Sequence, residues 1–392
     1  MKSTLFLLSG IASVPVLAAP TLTPHPVSLQ SGARFSLSLP ARYSITPVVQ
    51  GLKRPRFFAL APDGRLFVTQ MYNRSDNSRG KVTILDGFNP QTRRFARVTD
   101  YLTGLRNPNS VAFWHDTKSD KSWLYVALTD KLVRYPFKNG DTKPSGNAQT
   151  LTRFPAYGLS YKYGGWHLTR TVTVVPETGQ VFVAVGSSGN AVIEKEAVRA
   201  AILSMNADGT NQHIYAHGLR NAVGLRWMRG ALWASNQGVD HLGDDAPNET
   251  FYKLQSGSDY GWPYCYQSRG AVRLDPKFHR AVGTKGVPLA PIVFPAHSSA
   301  LGFDWFAPNA PDPNLRNRWL FALHGSGFIR QKRGYSLVTA TNSGQVEPFL
   351  TGFLQRRHIW GRPCDVWNRG DGSFWLSDDY AGIIYLVAPR TN

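Results

Sequence analysis

GGWHLTRTVTVVPETGQVFVAVG, residues 164–186, holds two β-like runs in close succession. The first alternates Thr and Val from Thr171, and the second, QVFVAVG, centres on Phe182. Two glycines, Trp166 and His167 stand where loop becomes strand. Short aromatic and β-branched runs behind turn residues read as strands. The same kind of run recurs as GRLFVTQ around Phe67, WLYVAL around Tyr125, ALWASN around Trp233, RWLFALH around Leu320 and SFWLSDD around Trp375. Successive anchors are 58, 57, 51, 87 and 55 residues apart. Four near-equal intervals mark a repeat architecture. Six β repeats of about 50 residues fit an all-β, six-bladed β-propeller with four-stranded blades. The long interval requires an insertion between blades 4 and 5, and residues 250–316 are rich in Gly, Pro and Ser. Residues 192–203, VIEKEAVRAAIL, are the best candidate for a short helix.

A second pattern runs ahead of the strands. Arg54, Arg220 and Arg362 each precede their strand aromatic by 13 residues, His167 precedes Phe182 by 15, and Asn107 precedes Tyr125 by 18. In a propeller, the lead-ins to the innermost strands lie at one mouth of the central channel. These five residues are therefore expected to ring one opening, either as a basic, polar pocket or as pins for their own loops.

The chain has 392 residues, 42% hydrophobic and 12% aromatic, enough for a large core. Residues 1–19, MKSTLFLLSGIASVPVLAA, read as a secretory signal with small residues before Pro20. The remainder, 20–392, is expected to form a single propeller domain in the periplasm or outside the cell. No run approaches the roughly 18 apolar residues of a membrane helix, so no integral membrane segment is expected. Export makes a disulfide between Cys265 and Cys364 possible, though the sequence does not show them to be close. The formal charge is +19, from 44 basic and 25 acidic residues. Basic residues are scattered rather than clustered and no DNA-binding motif occurs, which argues against nucleic acid as the partner. The charge suits a solvated basic surface, an anionic ligand or an anionic envelope polymer.

Several stretches together carry a resemblance: GGWHLTRTVTVVPETGQVFVAVGSSGN (164–190), RAAILSMNADGTNQHIYAHGLRNAVGL (199–225), GDDAPNETFYKLQSGSDYGWPYCY (243–266), AHSSALGF (296–303), ALHGSGFIRQKRGYSLV (322–338) and GRPCDVWNRGDGSFWLSDDYAGIIYLV (361–387). The chain resembles the quinoprotein glucose/sorbosone dehydrogenase family, six-bladed propellers that bind pyrroloquinoline quinone (PQQ) with calcium. It is more similar to the sorbosone or pyranose dehydrogenase branch than to soluble glucose dehydrogenase. The resemblance implies a dehydrogenase that oxidises an aldose hemiacetal or a sugar aldehyde such as sorbosone to the lactone or acid. Hydride would pass to PQQ and then to an external acceptor such as a quinone, dye or cytochrome.

Such a reaction needs a base for the hydroxyl proton, and imidazole, with an ordinary pKa near 6.5, suits it. The resemblance assigns that role to His167. A fixed cation favours negative charge building on the quinone, and Arg220 matches the family arginine for this, with Asn221 beside it as a cofactor contact. The three PQQ carboxylates call for charge-assisted bonds. Arg362 matches a cofactor arginine, with Arg330 or Lys332 as a second, and His324 and His297 match recurring family histidines at the pocket. Calcium in this family lies against two consecutive backbone carbonyls, a hard-oxygen environment; the matching residues are Gly238 and Val239. His213 and His217 read as structural. Three positions depart from the family: Ala222 stands where proline is usual after GLRN, Cys364 stands where soluble glucose dehydrogenases carry a second arginine, and Gly327 replaces the tryptophan of HGSW. Two alternatives stand beside this reading: a calcium-dependent lactonase-type propeller hydrolase, and a non-catalytic propeller that binds polyanions.

Overall fold

In a computed structural model, which describes residues 20–155, 166–278, 281–327 and 332–390, six four-stranded antiparallel sheets follow one another along the chain. Each sheet begins with a strand next to the central axis. These inner strands are Pro55–Leu60, Ser110–Asp116, Arg170–Val174, Ala222–Met228, Ala300–Phe306 and Pro363–Asn368 in blades 1 to 6. Contacts between successive inner strands, and between the sixth and the first, close the ring.

The anchor residues read from the sequence all fall on the second strand of their blade. Each also belongs to a different inter-blade core: Phe67 between blades 1 and 2, Tyr125 between 2 and 3, Phe182 between 3 and 4, Trp233 between 4 and 5, Leu320 between 5 and 6, and Trp375 between 6 and 1. This accounts for the period, because a single blade cannot bury both of its faces alone. Each interface demands one large side chain at the same place, and full burial of such a side chain contributes about 1.5–3 kcal/mol.

Blade 6 takes its outermost strand from the other end of the chain. Tyr43–Val49 pairs antiparallel with Ile383–Pro389, so residues far apart in sequence close the ring. A hairpin of Leu22–Ser28 and Arg34–Pro40 packs its apolar side on the core between blades 5 and 6.

The insertion lies one strand earlier than expected. Residues 254–291 separate the third strand of blade 4, Glu249–Lys253, from the fourth, Ile292–Phe294, so the insertion is inside blade 4. Its short segment Ser258–Asp259 pairs parallel with the outer strand of blade 3, His213–His217, and ties the two blades together. The helix expected over 192–203 is absent: the segment is a turn-rich loop running into the strand Ala201–Met205, where β-pairing with Val181–Val185 wins. No helix of the described residues is long and apolar enough to cross a membrane. The leader at 1–19 lies outside the described residues.

Buried hydroxyls stitch the rim of the channel. In four places a Ser or Thr at the end of a blade's second strand donates to a carbonyl at or near the start of the next blade's inner strand: Thr69 to Asn109 (2.7 Å), Thr129 to Leu168 (2.9 Å), Ser235 to Leu301 (2.6 Å) and Ser377 to Arg56 (2.7 Å). Each such bond is worth about 1 kcal/mol, and together they fix the lead-in residues relative to one another. Below the rim, Phe57, Val223, Leu301 and Cys364 meet as an apolar plug contributed by blades 1, 4, 5 and 6. Cys265 lies elsewhere, at the start of the hairpin Cys265–Ser268 and Ala271–Leu274 in the insertion.

Candidate active site at the channel mouth

The lead-in residues do lie together on one rim, each one to three positions before its inner strand. His297 fills the corresponding place before blade 5, a relation hidden from the sequence pattern because its strand anchor follows at an unusual distance. Arg54, Asn107 and His297 adopt φ values of 57°, 41° and 63°. Left-handed backbone is uncommon for residues other than glycine, and here it makes the sharp turn into the inner strands of blades 1, 2 and 5.

On the side of blades 3 to 5 the rim opens into a cavity of about 470 Å³, walled by Trp166, Asn190, Arg220, Gln237, Gly238, Asp240, Glu249, His297, Ser299, Ser326 and Gly327. That volume is in the range of small-ligand pockets. Arg220 is only 5% exposed. Its guanidinium donates to the Asn190 carbonyl (2.8 Å), to Asn190 Oδ1 (2.9 Å) and to Asp240 Oδ2 (3.1 Å). Burial lowers its pKa, with Asp240 and Glu249 opposing, yet an arginine stays charged.

His167 is partly buried beside this cation. Its Nδ1 lies 3.0 Å from the Ser187 carbonyl and 3.1 Å from Ser187 Oγ, whose own proton goes to the Gly189 carbonyl. Both oxygens therefore act as acceptors, so Nδ1 carries the hydrogen and Nε2 keeps the lone pair. Desolvation first, then the charge of Arg220, holds the imidazole well below its ordinary pKa, as a neutral base. Arg170, fully buried, clamps the turn by donating to the His167 carbonyl at 2.6 Å. His167 and Asn221 meet over Gly186: a Cβ there would stand 2.7 Å from His167 Cβ and 2.5 Å from Asn221 Oδ1. Asn221 itself donates to Gln237 (2.8 Å).

The cavity has an acidic wall as well as a basic one. Asp240 faces Arg220 and, at 3.5 Å, His297 Nδ1. His297 Nε2 is 2.8 Å from the Gly243 carbonyl. With an acceptor at each nitrogen the ring favours its protonated form, and the Asp240 contact raises its pKa. Glu249 is buried and accepts from the backbone N–H groups of Gly238 (3.3 Å) and Ser299 (3.4 Å). Burial pushes its pKa up to about 7 against the pull of Arg220. Sequence reasoning missed Glu249, because a single Glu at the start of a strand gives no local sign that it faces a cavity. Gly238 lines the cavity, and Val239 is buried against Ala200 and Trp262.

The residues expected to grip carboxylates are placed differently. Arg362 donates to the carbonyls of His324 (3.1 Å) and Gly325 and stacks over Tyr335. It pins the blade 5 loop. His324 Nε2 lies 2.7 Å from Asp379, which also receives Arg54 (2.7 Å) and Arg56 (2.8 Å). Burial and Arg362 outweigh Asp379 and lower His324 to about 3. Burial alone would raise Asp379, but His324, Arg54 and Arg56 hold it well below the carboxylate range. Neutral His324 therefore donates to an ionised carboxylate. Asn107 is fully buried and holds the blade 1 loop through Asn77 N (2.8 Å) and Ser75 O (3.0 Å). For Asn107, Arg54 and Arg362 the loop-pinning alternative describes the contacts seen. Lys332 is exposed, with its ammonium 3.1 Å from the Gly327 carbonyl, and Arg330 lies outside the described residues. His213 and His217 are on the outer strand of blade 3, away from the mouth, with His217 3.4 Å from Asp259.

This is a six-bladed propeller whose channel mouth sets a buried guanidinium, two acids and the His297 imidazole around one cavity, with the neutral imidazole of His167 beside the guanidinium. A family model described as TrAA12-like matches residues 37–287, and the chain belongs to that family. An uncharacterized protein of Borreliella burgdorferi is 26% identical over 357 residues, covering 86% of each chain. Among solved structures, the holo form of the PQQ domain of pyranose dehydrogenase from Coprinopsis cinerea superposes with a TM-score of 0.72 at 18% identity, covering 90% of this chain and 97% of that one. A calcium structure from Trichoderma reesei, of Carbohydrate-Active Enzymes Family AA12, gives 0.71 at 17% identity over 97% and 100%. The PQQ-bound aldose sugar dehydrogenase of Streptomyces coelicolor gives 0.61 at 17% identity over 90% and 100%. At these identities the likeness is one of fold.

Proposed function

We propose that the protein is an exported oxidoreductase that binds PQQ and calcium at the channel mouth and oxidises a sugar hemiacetal or sugar aldehyde to the lactone or acid. The observation that carries this reading is the pairing of neutral His167, protonated on Nδ1, with permanently charged Arg220 at one rim. Membership of the TrAA12-like family and the fold shared with PQQ-binding sugar dehydrogenases support it.

The donor set suits an anionic quinone together with a divalent cation. Arg220 and His297 offer positive charge, while Asp240, Glu249 and the backbone at Gly238 offer hard oxygens or lie beside them, with Val239 next in sequence and buried behind. Arg220, Asn221 and His297 would hold the quinone, and the Gly238 and Val239 carbonyls the calcium; Arg362 and His324 would act behind them by fixing the blade 5 loop. Lys332 would serve as an outer contact. Bound PQQ supplies a two-electron centre that accepts hydride and later passes electrons to an external acceptor.

The chain's own part is proton handling and electrostatics. His167 Nε2 takes the proton of the sugar hydroxyl, and the Nδ1–H bonds to Ser187 stabilise the imidazolium so formed. Arg220, held by Asn190 and Asp240, presents positive charge without reorganising. The apolar cluster of Phe57, Val223, Leu301 and Cys364 lies on the inner strands just beyond the lead-in residues. The test is turnover of PQQ- and calcium-loaded protein on a panel of aldoses and sorbosone with a dye acceptor. His167→Ala is expected to lower kcat by about 10²–10⁴-fold with PQQ still bound. Unchanged turnover would remove His167 from the mechanism.

A further inference from the structure

Trp166 is 42% exposed, and among the described residues no other tryptophan is exposed. It joins none of the inter-blade cores. It stands on the cavity wall, next in sequence to the proposed base. Its φ is 73°, a left-handed value that is an outlier for a bulky L-residue and is maintained only by its surroundings. The indole stands nearly perpendicular to the His167 imidazole, with centroids 6.2 Å apart at 79°. A large aromatic ring is thus held in water, against backbone preference, beside the proton acceptor.

The chemistry of the remaining walls says what such a ring would meet. Asp240, Ser299 and Ser326 offer hydroxyl-binding groups in the same cavity, and the Asp240 side chain is 56% exposed. A ligand that fits has one flat face of C–H groups and an edge of hydroxyls. A pyranose ring has both, whereas an open-chain sugar has no persistent apolar face. We propose that Trp166 is the platform on which the pyranose ring of the substrate stacks, so that the site selects cyclic sugars over open-chain sugar aldehydes. This rests on the dehydrogenase reading and narrows its substrate class.

The test has two arms, so that failure of one reading is distinguishable from failure of the other. Saturation-transfer NMR on the full protein uses methyl pyranosides of glucose, galactose and mannose, which have no free anomeric hydroxyl to oxidise, with glucitol as the acyclic probe. The expected result is transfer to the ring C–H protons of at least one pyranoside and little to glucitol. Trp166→Ala should weaken that binding on the order of tenfold, and Trp166→Phe should recover most of it. In the loaded enzyme the same substitution should raise KM for reducing pyranoses by a similar factor and leave KM for glycolaldehyde unchanged. Equal transfer to glucitol, no transfer to any pyranoside, or a fall in kcat with unchanged pyranose binding would each overturn the platform. If no sugar reduces the loaded cofactor, the dehydrogenase reading fails while the NMR arm still judges Trp166.

Discussion

Replacing Arg220 by glutamine separates its structural from its electrostatic work. The guanidinium makes three bonds, but they are not equal. Its ion pair with Asp240 has a partner that is 56% exposed, and pairs with an exposed partner contribute little. The two bonds to Asn190, at 2.8 and 2.9 Å, are charge-assisted and sheltered, and a glutamine amide can replace one of them. The expected loss of stability is therefore about 1–2 kcal/mol, too little to unfold the protein. Turnover should suffer far more, since removing one preorganised electrostatic donor costs about 10²–10³ in kcat. A third consequence follows from the position of His167. Desolvation is the first cause of its lowered pKa and Arg220 the second. Removing the charge should move the acid limb of the kcat/KM profile upward, toward the ordinary imidazole value, because the protonated ring is no longer repelled. Stopped-flow reduction of the loaded enzyme across a pH series measures both effects. A purely KM effect, or a slower enzyme whose acid limb has not moved, would refute the placement of Arg220 against the base.

Gly186→Ala should cost about 1–3 kcal/mol and lower turnover together, because its Cβ would press on both His167 and Asn221; calorimetry with kinetics checks it, and a wild-type melting temperature would contradict the contact. The His324–Asp379 pair predicts acid sensitivity. His324 is held at about 3 in the fold, so below pH 6.5 the unfolded chain binds the proton first. Its share of stability is full above that value and falls with pH, at most about 1.4 kcal/mol per unit, until the folded pKa is reached. Asp379, held low, adds a loss beginning near the ordinary carboxylate range. Urea unfolding at about pH 7 and about pH 5 should show a smaller pH difference for His324→Gln than for the parent; equal differences would mean that His324 is not buried neutral.

Much of the fold was legible because each inter-blade core demands the same large side chain. Phe67, Tyr125, Phe182, Trp233, Leu320 and Trp375 announce one interface each, and the period reveals the blade count. The closing strand was not legible. Tyr43–Val49 belongs to the last blade, and nothing local in YSITPVV distinguishes a strand that pairs with Ile383–Pro389 from one that pairs with its neighbour. The insertion was seen as a long interval, but its place inside blade 4 depends on a three-residue strand, Ile292–Phe294, too short to carry a pattern.

At the mouth, equivalence of position was readable and direction was not. Arg54, Asn107 and Arg362 occupy the rim yet spend their polar atoms on Asp379, on the 73–79 loop and on the blade 5 carbonyls. Arg220 and His297 face the cavity. Which of these an arginine or histidine does is decided by partners from other blades, such as Asp379 and Asp240, whose proximity the linear sequence does not encode. Glu249 stayed hidden for the same reason, since its partners Gly238 and Ser299 come from different segments.

The most direct measurement is a titration of the purified protein with PQQ in the presence of calcium, followed by absorption before and after adding aldoses and sorbosone. One quinone is expected to bind per chain, to be lost when calcium is chelated, and to bleach to the reduced form with at least one sugar. Absence of binding, with or without calcium, would contradict this and shift the reading to a hydrolase or a polyanion-binding propeller.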